Sequence, residues 1–526
     1  MSPMFPNRGT VPESSYSVPP AILEAASDVR TVNRVETHQL SRRYLGYLLL
    51  VILAIKFVFY LLDPQPRFLL GDSASYLWTA LTGWIPEDRS FTIGFILRVL
   101  AVWPHSFQPM ILVQAGLSGI SSWLVAVCLL RYFRTRVWVA SVAALLCAVE
   151  PLQLISERFA LTEATSTFVF TVYVVLALEY IRTASLRLLI WAQVVSIVLI
   201  SLRISFLPIV VVNAGLLPLI ACRTTPFWAE LFRRFRTTRG TTSQPPLNAW
   251  RPIAVHVIAA VLVSQFLLYS YRHINGRLTH HAPAYLYTDG LFLLASWAPI
   301  VEPGDLPVPA WRDAVFNHLA YPLHDPRARN AHAFAPGGLI PNLVDVTKAG
   351  GSVPDTLLAN KLARKTAIAA VKRDPVGFLR LSALTLAQYF DDDYLKQTVE
   401  QDEGHHHGFP ASFTDELRTY FHQPFEEKDL DTLTERWHVA ALPWYQFLLL
   451  SPLLFTVLAV FAERKYLAYW ILSGIAAWIF FAQLALVAQH PTVRYMTPLA
   501  WLMLMMIPAV VDSAVTRSYK NVQLRH

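Results

Sequence analysis

The chain has 526 residues, of which 54% are hydrophobic and 15% charged. Soluble proteins carry roughly 25% charged residues, so a soluble chain of this composition would lack the polar surface to cover itself. Its net charge of +8 comes from Arg clusters in short loops between apolar runs, a topological signal that leaves nucleic-acid binding without support.

Residues 1–43 are polar and rich in Pro and Ser, the composition of a disordered tail, and no cleavable signal peptide is visible. Ten apolar runs follow, several close to the ~20 residues that cross a bilayer as helix. They occupy residues 44–62, 109–130, 137–155, 159–180, two pieces of 188–220 that break at Arg203 and Pro208, then 252–271, 442–461, 467–488 and 495–511. With the N-terminus in the cytoplasm, the inner loops carry Arg131, Arg134 and Arg136, then Arg182 and Arg187, an Arg-rich stretch at 223–251, Arg464 and Lys465, and finally Arg517, Lys520 and Arg525. Every one is basic, as cytoplasmic loops should be. The expected fold is therefore an all-α polytopic membrane protein of about ten transmembrane helices, with both termini inside. It comprises an N-terminal transmembrane module, 44–272, with a first external loop at 63–108, and a C-terminal set of helices at 442–512 ahead of a tail at 513–526. A small extracytoplasmic mixed domain, 273–441, is inserted before the last three spans. Residues 89–103 are apolar but short and interrupted by Arg98, which predicts an interfacial helix. Cys128, Cys147 and Cys222 fall inside apolar runs and form neither a disulfide framework nor a metal site.

This topology sends the chemically varied sequence outside. In GDSASY, Asp72 follows the first span and could act as a general base on an acceptor hydroxyl; the alternative is an N-cap for the helical SASYLWTAL. In EPLQLISERFALTEAT, Glu157 and Glu163 flank a span junction, where ionisable groups default to function; the alternative is pairing with Arg158. Arg494, in VRYMTPLAW, and Arg203, in SLRISF, could hold a phosphate through paired hydrogen bonds or simply snorkel to water, and His490 is a further candidate. Asp391, Asp392 and Asp393 could bind a divalent cation but read better as a solvated acidic turn, and His405, His406 and His407 read as a polar loop before a metal site. No fixed-period repeat, Walker sequence, helix-opening GxGxxG or HExxH is present.

Three segments together resemble the GT-C glycosyltransferases, the superfamily of protein O-mannosyltransferases and aminoarabinose transferases. They are GDSASY, SERFALTEATSTFVF and VRYMTPLAWLMLM. The resemblance covers most of the first 220 residues and the last 90, and 273–441 departs from it. It implies a membrane enzyme that moves a sugar from a polyprenyl-phosphate donor to an envelope glycan, lipid or protein on the extracytoplasmic side of a bacterial plasma membrane. Asp72 would be the catalytic base. Glu157 and Glu163 would orient the acceptor or assist a divalent cation, and Arg203, Arg494 and His490 would bind the donor phosphate. A transporter or flippase of a lipid-linked sugar, or a membrane scaffold presenting 273–441 to a partner, are the competing readings. They separate on whether Asp72, Glu163 and Arg494 converge.

Overall fold

The computed structural model describes residues 43–69, 72–224, 251–319, 329–348, 354–402, 411–421, 432–461 and 466–523. The expected tail, most of the Arg-rich stretch (225–250) and His405–His407 lie outside the described residues. The chain divides into Met1–Leu50 and Val51–His526. Of the first unit, the described residues are the opening turns of α1 (Arg43–Leu62).

Among the described residues the fold is entirely helical, with one isolated bridge between Arg67 and Phe159. Hydrocarbon offers no partner for backbone N–H and C=O groups, so apolar stretches of this length must close their hydrogen bonds internally. After α1 come α2 (Asp72–Thr82), α3 (Thr92–Val102), α4 (Gln108–Phe133), α5 (Val137–Ala148), α6 (Pro151–Ser156), α7 (Glu163–Thr183), α8 (Leu186–Leu202), α9 (Leu207–Thr224) and α10 (Arg251–Thr279). The insert contributes α11 (Asp289–Trp297), α12 (Arg312–Phe316), α13 (Arg329–Phe334), α14 (Leu339–Asp345), α15 (Thr356–Arg373), α16 (Pro375–Gln388), α17 (Asp392–Asp402), α18 (Ala411–Phe421) and α19 (Leu433–Ala440). The chain ends with α20 (Leu442–Leu449), α21 (Ser451–Phe461), α22 (Leu467–Leu486) and α23 (Thr497–Gln523).

Helix stands at each of the ten expected places. Seven helices are long and apolar enough to cross a membrane, or eight if α20 and α21, bent by 51°, form one span. The chain is thus a polytopic helical membrane protein. The expected third span, 137–155, is corrected: α5 has 12 residues. Pro151 has no N–H to continue that helix. Glu150 turns extended and its carboxylate caps α6, accepting from Gln153 N at 2.8 Å. Residues 150–164 are all buried, so this irregular backbone is shielded by protein. The split at Arg203 holds, because Arg203 adopts φ −152°, ψ 111° between α8 and α9. Pro208 does not break the chain there; it sits at the start of α9, where a missing N–H is tolerated. The insert is corrected from mixed to helical in its described residues. Its core is Leu291, Leu294, Leu339, Leu343, Ala363 and Ala367 with their neighbours. Gly290 lets α11 meet α15, since a Cβ there would stand 2.2 Å from the Asn360 carbonyl oxygen.

The bundle has two chemically different ends. At one, Arg131 and Arg182 grip Glu179, Arg136 pairs with Asp512, and Tyr466 donates to the Phe133 carbonyl. At the other lie the end of α1, the starts of α4, α7, α9 and α23, and the ends of α8 and α22. Here Tyr60 meets Gln108, and Gln483 donates to the Ser205 carbonyl. The insert docks at this second end, through Trp297 Nε1 to the Leu486 carbonyl (2.7 Å) and Arg329 to the Gln489 carbonyl.

A buried ionic network ties the α1 exit to the 150–164 segment. Lys56 pairs with Glu157 at 2.5 Å, Arg158 reaches Glu157 at 3.6 Å and Asp63 at 3.0 Å, and Arg67 binds both Asp63 (3.0 Å) and Glu435. All six side chains are 5% exposed or less. Three positive and three negative charges balance, as burial at this depth requires.

Candidate functional site

Asp72 is the first residue of α2. Gly83, at φ +83°, terminates α2 in the left-handed region that a side chain would strain. The chain then turns back through 84–91. Glu87 fixes this return by accepting from His281 Nε2 (2.7 Å) and, through its carbonyl, from Tyr287 N (2.9 Å). The return brings Arg89 onto Asp72, Nη1 to Oδ1 at 2.5 Å. Asp88 accepts from Nη2 of the same guanidinium.

Arg494 reaches the same carboxylate from the turn Val493–Met496 that precedes α23, Nη1 to Oδ2 at 2.8 Å. Both Asp72 oxygens therefore accept from guanidinium, and the capping role expected as the alternative does not account for their placement. Glu163 is the first residue of α7, where the unpaired N–H groups of the helix favour a negative charge. It takes Arg203 Nη1 at 3.4 Å and Arg494 Nη1 at 3.8 Å. Tyr495 lies beneath both cations, 4.2 Å from the Arg203 guanidinium and 5.1 Å from that of Arg494, a cation–π arrangement that holds them without neutralising them.

The result is an open ring of three guanidiniums and three carboxylates, running Asp88–Arg89–Asp72–Arg494–Glu163–Arg203 and drawn from five segments. The Asp72 side chain is 32% exposed and that of Glu163 4%, so a ligand from solvent meets Asp72 first. Burial pushes the Asp72 carboxyl up. Arg494 and Arg89, helped by Arg203, more than offset this and hold it below the usual carboxylate range. Glu163 and Arg494 also line a small cavity, together with Ile155, Phe159, Leu161 and His438. Burial, with the Arg67 charge, pushes His438 down to about 3, so its imidazole is neutral.

Of the six residues expected from sequence, Asp72, Glu163, Arg203 and Arg494 converge. Glu157 does not: it turns into the protein and pairs with Lys56. His490 sits four residues before Arg494 in the connection between α22 and α23. Arg89 was missed. Its signal was the one applied to Arg203 and Arg494, an arginine on the side where the charge bias disfavours it. Arg158, the alternative partner for the glutamates, does contact Glu157 but spends its remaining donors on Asp63 and the Leu154 and Phe59 carbonyls. Asp391 caps Tyr394 N (3.2 Å) and Asp392 accepts from Gln446 (2.6 Å), an acidic turn. Among the described residues no group of three His, Cys, Asp or Glu is placed to hold a metal ion, and Cys128 and Cys147 are free thiols in the core. No family model, curated protein or solved structure matches the chain.

Proposed function

We propose that the chain is a membrane glycosyltransferase that moves a sugar from a polyprenyl-phosphate donor to an acceptor on the extracytoplasmic side. The observation that carries this reading is the convergence of Asp72, Glu163, Arg203 and Arg494 at the less basic end of the bundle. A donor with its chain in the bilayer would bring its phosphate to that level. In the reaction, the acceptor hydroxyl gives its proton to an Asp72 oxygen as its oxygen bonds to the anomeric carbon. The bond from that carbon to the phosphate oxygen breaks, and polyprenyl phosphate leaves with the electron pair. Arg203 and Arg494 are positioned to stabilise the charge that develops on it.

In the resting arrangement Arg494 and Arg89 occupy both Asp72 oxygens. A phosphate that draws Arg494 away frees Oδ2 to accept a proton, so the donor would bind before the acceptor reacts. The transporter reading needs charged groups at midplane of paired half-helices, whereas this ring lies at one end of the bundle.

Purified protein incubated with a panel of polyprenyl-phosphate sugars and extracted envelope acceptors should release polyprenyl phosphate only when donor and acceptor are both present. Release with no acceptor in any combination would sink the proposal. Arg89→Gln should move the acid limb of the rate–pH profile upward. Asp72 works as a base only when ionised, and losing one of its two cations lets its carboxyl rise toward the ordinary value. Activity should fall most at acid pH and persist near pH 8, and Arg89→Lys should restore the profile; an unmoved limb would place Arg89 outside the reaction.

A further inference from the structure

Helix α16 belongs by sequence to the insert, yet its two faces do not suit a domain held in water. One face, with Leu381, Ser382, Thr385 and Gln388, is buried. It packs along the spanning helix α22, and Thr385 Oγ1 accepts from Arg329 Nη2 at 2.9 Å. The other face is apolar and open. Val376 is 73% and Leu379 63% exposed, with Leu384 and, just past the helix, Phe390 also exposed. Arg380 is its single charge. Val376, Leu379 and Leu384 fall within an arc of about 140° around a 3.6-residue helix, opposite the buried residues and with Arg380 among them, so they form one strip that Phe390 continues past the helix end. Left in water, each large side chain forgoes the free energy of burying its apolar surface.

Two further observations say what covers the strip. The helix lies against α22, a helix long and apolar enough to cross a membrane, whose Ile471 and Trp478 are likewise exposed. Exposed cations stand around its N-terminal half. Lys372 and Arg380 carry no ion pair among the described residues, whereas neighbouring Arg373 is held by Glu302 and Asp305. At the other end Tyr389 OH accepts from Thr492 N at 3.1 Å, two residues from Arg494. The helix therefore ends beside the charged ring.

We infer that α16 lies in the membrane interface at the site end of the bundle. Its Val376–Leu379–Leu384–Phe390 strip is immersed among acyl chains, and Lys372 and Arg380 meet the phosphates of anionic phospholipid. This inference is independent of the proposed reaction. The insert thus rests on the bilayer through α16, and the lipid surface reaches the edge of the ring.

The test uses the full-length protein in nanodiscs, with Cys222→Ser and an environment-sensitive fluorophore on Leu379→Cys or, separately, Val376→Cys. Both positions are exposed, so neither substitution disturbs packing. A label on Asp313→Cys, elsewhere on the insert, is the reference. Labels at 379 and 376 should emit blue-shifted and lose intensity when the phosphatidylcholine carries brominated chains, while the label at 313 should do neither. Adding phosphatidylglycerol should deepen the quenching at 379, and Lys372→Gln with Arg380→Gln should remove that increment. Water-like emission at both positions overturns the inference. So does a blue shift without bromine quenching that disappears on dilution, which would show a second copy of the chain covering the strip.

Discussion

Asp72→Asn should reduce sugar transfer by roughly the 10²–10⁴-fold that a positioned general base supplies, and membrane insertion should be unchanged. The amide is nearly isosteric and still accepts one hydrogen bond, so the α2 start and the Gly83 return persist. It cannot take the acceptor proton. It also leaves Arg89 and Arg494 facing an uncharged group. Their attraction for a phosphate should rise, so donor binding should tighten as turnover collapses. That opposite movement distinguishes loss of a base from general damage, which would weaken both. Full turnover in Asp72→Asn would remove Asp72 from the reaction.

Asp63→Asn should destabilise the fold by about 3–5 kcal/mol, the usual result of removing one partner from a buried ionic network. Asp63 is shared by Arg67, Arg158 and Thr432, and its loss leaves two buried guanidiniums opposed only by Glu157 and Glu435. The effect carries a pH signature. Burial pushes the Asp63 carboxyl up, but Arg67 and Arg158 pull it below the ordinary carboxylate range. A folded-state pKa below the unfolded one contributes stability that is present above the unfolded value and is lost as pH falls through the folded one. Thermal unfolding in detergent should therefore separate wild type from Asp63→Asn most at neutral pH, with the gap closing in acid. For the neighbouring pair, Lys56→Met alone should be strongly destabilising, and Lys56→Met with Glu157→Leu should recover much of that loss, because the buried network then holds two charges of each sign again. Additive losses would mean the two side chains act independently.

These two clusters differ in how visible they are in sequence. Asp72, Glu163, Arg203 and Arg494 each sit at the end of an apolar run, and counting basic loops sends all four ends to one side of the membrane. That puts them at one level, and the packing of α2, α7, α9 and α23 then brings them together. Arg89 escaped because the Gly83 return that delivers it has no apolar period to announce it. The sequence places Glu157 with Glu163 as a candidate to orient the acceptor or assist a cation, because ionisable groups at a span junction default to function. The capped break at Glu150–Pro151 and the non-helical residues 157–162 are set by local hydrogen bonds, and they turn Glu157 toward Lys56. Lys56 drew no attention inside an otherwise apolar span, although a buried lysine there requires an acidic partner. The helices of the insert were hidden for the opposite reason. Their apolar positions are spaced for packing against one another and against α22, so no long hydrophobic run marks them.

The most direct test of the glycosyltransferase reading is a structure of the protein with a non-hydrolysable polyprenyl-phosphate sugar. The account predicts the phosphate within hydrogen-bond reach of Arg203 and Arg494, the Arg494–Asp72 contact of 2.8 Å opened, and the anomeric carbon facing Asp72. A phosphate bound away from both arginines, with the ring intact, would contradict it.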